Sequence, residues 1–265
     1  MSTGERASGR FGPEGVRRLG ELVLPLQVGP YFRTGTADPV PLGEFARAVG
    51  AEVRGDGQET WTRLGDDRGY ELCVDAQGAV RAVLLGYDEP TRFVGGSAAA
   101  FAEGLLELDL ALGAIAGTDD PAEARTAFGR LEERLHALDE AAFADRENWW
   151  PLVLDDIRDT ASVRWFAAME VVDAGGEKKI FTQASGICVH PEERLWASLR
   201  AAGVEPEQVT AIHTDLEACF LPGHYCSMWL GDVFPDARLT HTFPYGEDAE
   251  SRAEGLRRLS GKAES

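Results

Sequence analysis

The sequence holds no uncharged apolar run approaching the roughly 20 residues that span a bilayer. Its first residues, Met1-Ser2-Thr3-Gly4-Glu5-Arg6, lack the apolar core of a signal peptide. Both absences point to a cytoplasmic protein with no membrane partner. Cysteine is scarce, four in 265 residues, and three of the four fall between positions 188 and 226. Such clustering is no disulfide framework; in a reducing compartment it reads as metal ligands or buried thiols. Positive charge is also short: 26 Lys and Arg stand against 45 Asp and Glu, for a net charge of −19 and a pI near 4.6. The deficit runs through both halves. Up to position 159, 29 acidic and 16 basic residues leave about −13; beyond it, 16 and 10 leave about −6. Neither half has the net positive charge that grips phosphates, which argues against unassisted tight binding of duplex DNA, whereas a small nucleotide needs few cationic side chains. Internal repeats and low-complexity tracts are missing as well. Core material is present: 44% of residues are hydrophobic, enough for one large domain or two modest ones.

Residues 1–12 are rich in Gly, Ser and Arg and read as a loose, disordered tail. From about 22 to 95 the texture is that of strands with short helices. Tyr70–Val74 alternates into the turn-prone Asp75-Ala76-Gln77-Gly78, and Ala79–Leu85 reads as its hairpin partner. Ser97 suits the cap of a helix with Phe101, Leu105, Leu108, Leu112 and Ile115 on one face. A second helix begins at Asp120-Pro121-Ala122-Glu123, with Asp120 as cap, and carries Phe128, Leu131, Leu135 and Leu138 as its stripe. Residues around Trp149-Trp150-Pro151 form a connector with some helix. Beyond it, Val163–Val172 and Lys179–Thr182 predict a hairpin turning at Ala174-Gly175-Gly176. A helix from Pro191 to about Ala202, a strand at Val209–Thr214, a helix through Met228, a strand at Arg238–Phe243 and a helix over 247–260 follow. Strands alternating with helices argue for a three-layer α/β sheet in this half and an α+β domain in the first.

The residues most suited to chemistry are His190-Pro191-Glu192 with Cys219 and Cys226 downstream. One imidazole and two thiols are ligands zinc accepts, and three protein ligands leave a tetrahedral position open, as in catalytic rather than structural sites. Glu192 then stands where a carboxylate can move protons. Pro at the first helical position followed by two Glu is equally ordinary helix-start chemistry. Cys188 opens a further alternative: with His190, Cys219 and Cys226 it completes a closed four-ligand site, which would be structural and leave Glu192 a mere cap. A buried inert thiol is the plainer role for Cys188. Thr182, Gln183, His224 and His241 are candidates for touching a substrate, with a polar loop or ordinary core and surface histidines as the competing readings.

The order hairpin, His-Pro-Glu helix, strand, cysteine pair, helix, strand, helix resembles the deaminase fold. The stretches His190–Trp196, Thr214–Cys219, Leu221–Cys226 and Thr240–Gly246 look like the nucleic acid/nucleotide deaminase domains of bacterial polymorphic-toxin systems, a resemblance covering residues 160–265. Two departures from the H-x-E…P-C-x-x-C signature stand out: Ala218 replaces Pro, and six residues rather than two separate the cysteines. Leu221-Pro222-Gly223 supplies the turn residues that such an excursion needs. The resemblance implies zinc on His190, Cys219 and Cys226. It further implies hydrolytic deamination of a cytosine or adenine, in a nucleotide or single-stranded nucleic acid, with zinc-bound water as nucleophile and Glu192 as proton shuttle.

In the first half, Tyr87–Ser97 leading into the helix with Phe101 and Leu105 resembles the closing strand and helix of SUKH-superfamily immunity proteins. That likeness implies protein binding, and the strong negative charge of this half suits a basic partner. The expected organisation is therefore a tail over 1–12, a SUKH-like α+β domain over 13–140, a connector over 141–160 and a zinc deaminase-like domain over 161–265, set in a toxin/immunity or defence context. A non-catalytic, immunity-like binding protein with a structural zinc site is the alternative.

Overall fold

Local sequence signals become structure at the places where one side chain satisfies several backbone groups. In the computed structural model the described residues are 5–6, 10–11, 15–20, 22–35, 38–88, 90–246 and 248–263. Most of the tail expected over 1–12 lies outside them, as do Glu89 and the expected first residue of the last helix, Glu247. Strands β1 (Val16–Leu19), β2 (Leu22–Pro25), β3 (Gln27–Val28), β4 (Phe32–Arg33) and β5 (Val40–Pro41) precede helix α1 (Leu42–Val49). Then come β6 (Thr62–Asp66), β7 (Glu71–Val74), β8 (Val80–Val83), β9 (Arg92–Gly95), α2 (Ala98–Ala116), α3 (Pro121–Leu138) and α4 (Trp149–Ser162). The remaining elements are β10 (Phe166–Val172), β11 (Lys178–Ala184), α5 (Pro191–Ala201), β12 (Val209–Leu216), α6 (Cys226–Val233), β13 (Arg238–Phe243) and α7 (Ala249–Ala263). Contacts divide the chain into Met1–Leu154 and Asp155–Ser265, so the boundary falls inside α4. Among the described residues, no helix is long and apolar enough to cross a membrane.

The first unit is α+β. Its larger sheet has the order β3-β4-β6-β7-β8-β9, with β5 on β6 and every pairing antiparallel; β1 and β2 form a separate hairpin. The β7–β8 hairpin forms where the turn chemistry puts it. Asp75 Oδ1 accepts from the backbone N–H groups of Gln77 and Ala79, both at 2.9 Å, and Gly78 takes φ +87°, which only glycine adopts without strain. Ser97 Oγ caps α2 by accepting from Ala100 N at 3.1 Å, and Asp120 Oδ1 caps α3 from Ala122 N at 2.8 Å. Glu123 accepts from the Thr118 hydroxyl at 2.6 Å instead of reaching back to its own cap residue. The apolar stripe of α2 is buried at Phe101, Leu105, Leu108 and Ile115. Phe101 meets Phe32 and Trp149 edge-on at 5.6 and 5.9 Å, a geometry that aligns ring edge with ring face.

One charged cluster lies inside this unit. Arg63, 4% exposed, reaches Asp38 through Nη1 (2.6 and 2.8 Å to the two oxygens), Asp66 through Nη2 (3.0 Å) and Glu71 through Nε (2.5 Å), with the Phe45 ring 3.8 Å from its guanidinium carbon. Asp66 is shared with a second cation, Arg33, whose Nε donates to its Oδ1 at 2.7 Å. Burial, opposed by Arg63 and assisted by Asp66 and Asp67, pushes Glu71 up to about 7. Glu71 is therefore the member that holds a proton near neutrality.

The second unit is α/β. Its sheet runs β11-β10-β12-β13, antiparallel except for the parallel pair β12–β13. The β10–β11 turn is tied by Asp173 Oδ1, which accepts from Gly175 N (2.9 Å) and Glu177 N (3.0 Å). Ala167, Met169, Val171, Ile212, Thr214 and Leu216 fill the buried face, and α5 packs along β10 and β11. Phe166, Thr182, His213, Thr240 and Thr242 lie on the other face and are exposed. The two fold classes read from the sequence are the two observed.

Arg63→Met strands Asp38 in the interior, and we expect about 3–5 kcal/mol of destabilisation in the first unit, the usual cost of removing one partner of a buried pair; urea denaturation checks it. Because the folded-state value of Glu71 is raised, its contribution to stability is full below the unfolded value near 4.5 and is lost as pH rises through about 7. Glu71→Gln is accordingly expected to flatten the dependence of the unfolding midpoint on pH across that window.

Candidate metal centre and active site

Two loops of the second unit bring the chemistry-bearing residues together. The segment after β11 is closed by a reciprocal pair: Ser185 N donates to Trp165 O, and Trp165 N donates to Ser185 Oγ. Gly186 and Val189 then bridge, with Cys188 between them at φ +52° and its N–H donating to Thr160 Oγ1 at 3.0 Å. His190 follows in extended conformation as the residue before α5, Pro191 takes the first helical position, and Glu193 Oε2 accepts from the His190 backbone N–H at 3.2 Å.

After β12, the chain passes Cys219 and makes a tight excursion before α6. His224 N and Tyr225 N both donate to Leu221 O, and Gly223 takes φ +83°. Tyr225 takes φ +43°, after which Cys226 opens the helix. The carbonyl of Cys219 accepts from both the N–H (3.0 Å) and the hydroxyl (3.1 Å) of Ser227. The residues that exceed the usual cysteine spacing are thus absorbed in one turn. Of the three non-glycine residues with positive φ among the described residues, two, Cys188 and Tyr225, lie next to or one removed from a ligand. Left-handed backbone costs about 1–3 kcal/mol per residue and persists where surroundings enforce it.

The outcome is a buried cluster. Sγ of Cys219 and Sγ of Cys226 each lie 3.4 Å from His190 Nδ1, and the three atoms fall within 4.8 Å of one another. At Zn–N near 2.1 Å and Zn–S near 2.3 Å, tetrahedral geometry needs about 3.6 Å between nitrogen and sulfur, so the set fits a zinc ion with little adjustment. The other ring nitrogen of His190, Nε2, lies 2.8 Å from Asp156 Oδ1. A carboxylate only accepts, so Nε2 carries the hydrogen and Nδ1 is the atom offered to the thiols. Asp156 Oδ2 takes a second imidazole, His224 Nε2, at 3.1 Å, and His224 Nδ1 meets Glu193 Oε2 at 2.9 Å. The two imidazoles stack at 4.0 Å with their planes 6° apart, and Trp165 packs edge-on to His190.

Charge follows from these contacts. Burial opposes ionisation of Asp156, and the two imidazoles outweigh it, holding the carboxyl below its usual range. Burial and His190 press His224 towards neutrality; Asp156 and Glu193 prevail and raise it to about 9, so both its nitrogens donate. Burial also works against the Cys219 thiolate, yet the Cys226 thiol and the His190 imidazole bring Cys219 well below the usual thiol range. Burial and the neighbouring Cys219 thiolate push Cys226 well above it. Glu192 sits on the first turn of α5, 2% exposed, with no hydrogen-bond partner for Oε2, and burial lifts it to about 7. A buried carboxylate oxygen left without a donor is uncommon and calls for a ligand or a reaction.

His190, Cys219 and Cys226 are thus brought together, with Glu192 buried in the same first turn of α5. Among the described residues, Cys188 joins neither of the two groupings able to hold a metal, which are His190–Cys219–Cys226 and Asp156–His190–His224. His224, a candidate for substrate contact, lies fully buried between two carboxylates. Thr182 and Gln183 are successive residues of β11 and therefore face opposite sides of the sheet: Thr182 is exposed beside Ala168, whereas Gln183 is half-buried, in the row of Ala167, Thr214 and the exposed His241. Asp156 and Glu193 were missed from the sequence. The available signal was Asp156 and Asp159 recurring at helical spacing within the apolar Trp149–Thr160 stretch, where a buried carboxylate requires a partner.

Family comparison agrees with both halves of this picture. Residues 162–262 match the model of the Xanthomonas-like deaminases, and residues 7–156 match that of the SUKH-4 immunity proteins. No curated protein and no solved structure matches the chain. With more than half of its length matched by the second model, the chain belongs to the SUKH-4 immunity protein family, and it carries a Xanthomonas-like deaminase domain after the immunity domain.

Proposed function

We propose that the second unit holds a zinc ion on His190, Cys219 and Cys226 and hydrolytically deaminates a nucleobase, cytosine or adenine, in a nucleotide or single-stranded nucleic acid. The observation that carries this reading is the convergence of the two thiols on His190 Nδ1, with the unpartnered Glu192 carboxylate buried two residues from the imidazole. Zinc held there would supply a Lewis acid that makes a water molecule acidic near neutral pH. Glu192 does the proton work. Its Oε2 accepts a proton from the attacking water as oxygen bonds to the ring carbon bearing the amino group. The same carboxyl protonates the adjacent ring nitrogen, then relays a proton to the amine, which departs as ammonia as the carbonyl forms. The positive ends of α5 and α6 favour negative charge on the bound base.

Four free thiols suit a reducing, cytoplasmic setting. Overall acidity favours a free nucleotide, or a single strand delivered by a partner, over a duplex whose base must be extruded. The immunity family of the first unit, together with its charge of about −11, supports a basic protein partner and a toxin/immunity or defence role.

Metal analysis of the full chain is expected to give one zinc, lost in Cys226→Ser and retained in Cys188→Ala. Loss in the second variant would instead favour a closed structural site without turnover. Glu192→Gln is expected to keep zinc while ammonia release from a panel of nucleosides, nucleotides and single-stranded oligonucleotides falls by about 10²–10⁴-fold. Undiminished release would remove Glu192 from the mechanism.

A further inference from the structure

We infer that Asp156, on helix α4, is the positioning residue of the metal centre: its carboxylate bridges the imidazoles of His190 and His224 and thereby turns His190 Nδ1 onto the two thiols. This rests on the metal reading above and extends it to a residue outside the deaminase-matching segment. That segment starts at residue 162, whereas Asp156 is the last residue of the immunity-matching one.

The geometry leaves the imidazole little freedom. Oδ1 of Asp156 takes His190 Nε2 at 2.8 Å and Oδ2 takes His224 Nε2 at 3.1 Å. His224 continues to Glu193 Oε2 at 2.9 Å, and that oxygen returns to the His190 backbone N–H at 3.2 Å. The side chain and the backbone of His190 are thus held by one closed ring of hydrogen bonds, with the His224 ring stacked 4.0 Å from the ligand ring. Flipping His190 would put a carbon where Nε2 now donates and break its 2.8 Å hydrogen bond to the buried Asp156 carboxylate. That penalty, and not the weak preference of a free imidazole for either tautomer, decides which nitrogen faces the thiols. A carboxylate on the far nitrogen also makes the ligating nitrogen more basic, and partners of this kind typically alter metal affinity 10–100-fold when removed.

The neighbouring acidic residue of the same helix provides the control. Asp159 is buried too, but it accepts from the Tyr245 hydroxyl at 2.9 Å and pairs with Arg158, and it touches no ligand.

The test uses the full chain and zinc itself, with affinity measured by competition against a chromophoric chelator and Co²⁺ substitution to read thiolate and imidazole ligation in the visible spectrum. Asp156→Asn is expected to weaken zinc about 10–100-fold and to shift the Co²⁺ bands, while Asp159→Asn lowers the melting temperature without moving either. Equal effects of the two variants on zinc affinity, or none from Asp156→Asn, would overturn the assignment. Should Asp156→Asn fail to fold, long-range ¹H–¹⁵N correlation on the unaltered zinc-loaded chain still decides it. Hydrogen on His190 Nε2 is the expected result, and hydrogen on Nδ1 would refute it. Absence of zinc from the unaltered chain would instead sink the metal reading itself, whereas zinc lost in Cys226→Ser but unaffected in Asp156→Asn would sink this inference alone.

Discussion

Burying an imidazole with a carboxylate at one nitrogen and two thiols at the other removes four polar groups from water, which costs several kcal/mol unless every group finds a partner. Around His190 nearly all do. Asp156 is shared between two rings, His224 between two carboxylates, and Glu193 between a ring and a backbone N–H. The group left over is Glu192 Oε2. Satisfied neighbours thus surround one buried carboxylate oxygen that has no hydrogen-bond partner among the described residues.

Each unit handles buried charge differently. Arg63 in the first unit gathers three carboxylates, one of them shared with Arg33, and burial raises Glu71 towards neutrality. In the second unit a cation, His224, lies between Asp156 and Glu193 and keeps both ionised. The first arrangement braces a sheet; the second holds the His190 imidazole.

Much of the fold was legible because its signals are local. Ser97 and Asp120 cap the helices they precede, Asp75 ties the hairpin it starts, and Gly223 turns the long cysteine loop. The grouping of His190, Cys219 and Cys226 was anticipated from residue type and order, helped by resemblance to a family, and the three side chains do converge. Candidate substrate contacts were harder, since adjacency in a strand says little about which face is useful: Thr182 and Gln183 stand side by side in sequence and on opposite sides of the sheet. Residues 141–160 read as a connector with some helix, and nothing in their order shows that Asp156 lies 2.8 Å from a histidine 34 positions later.

The sequence by itself determined the kinds of group available, their helical and strand settings and the turn residues that let two distant thiols converge, because these depend on backbone preferences a few residues long. Only the tertiary structure decided which carboxylate grips the imidazole, which ring nitrogen faces sulfur, and that His224 is an internal cation between two carboxylates. Those outcomes depend on burial and on partners far apart in the chain. There, the cost of stranding a charge, and not the preference of any single residue, selects the arrangement.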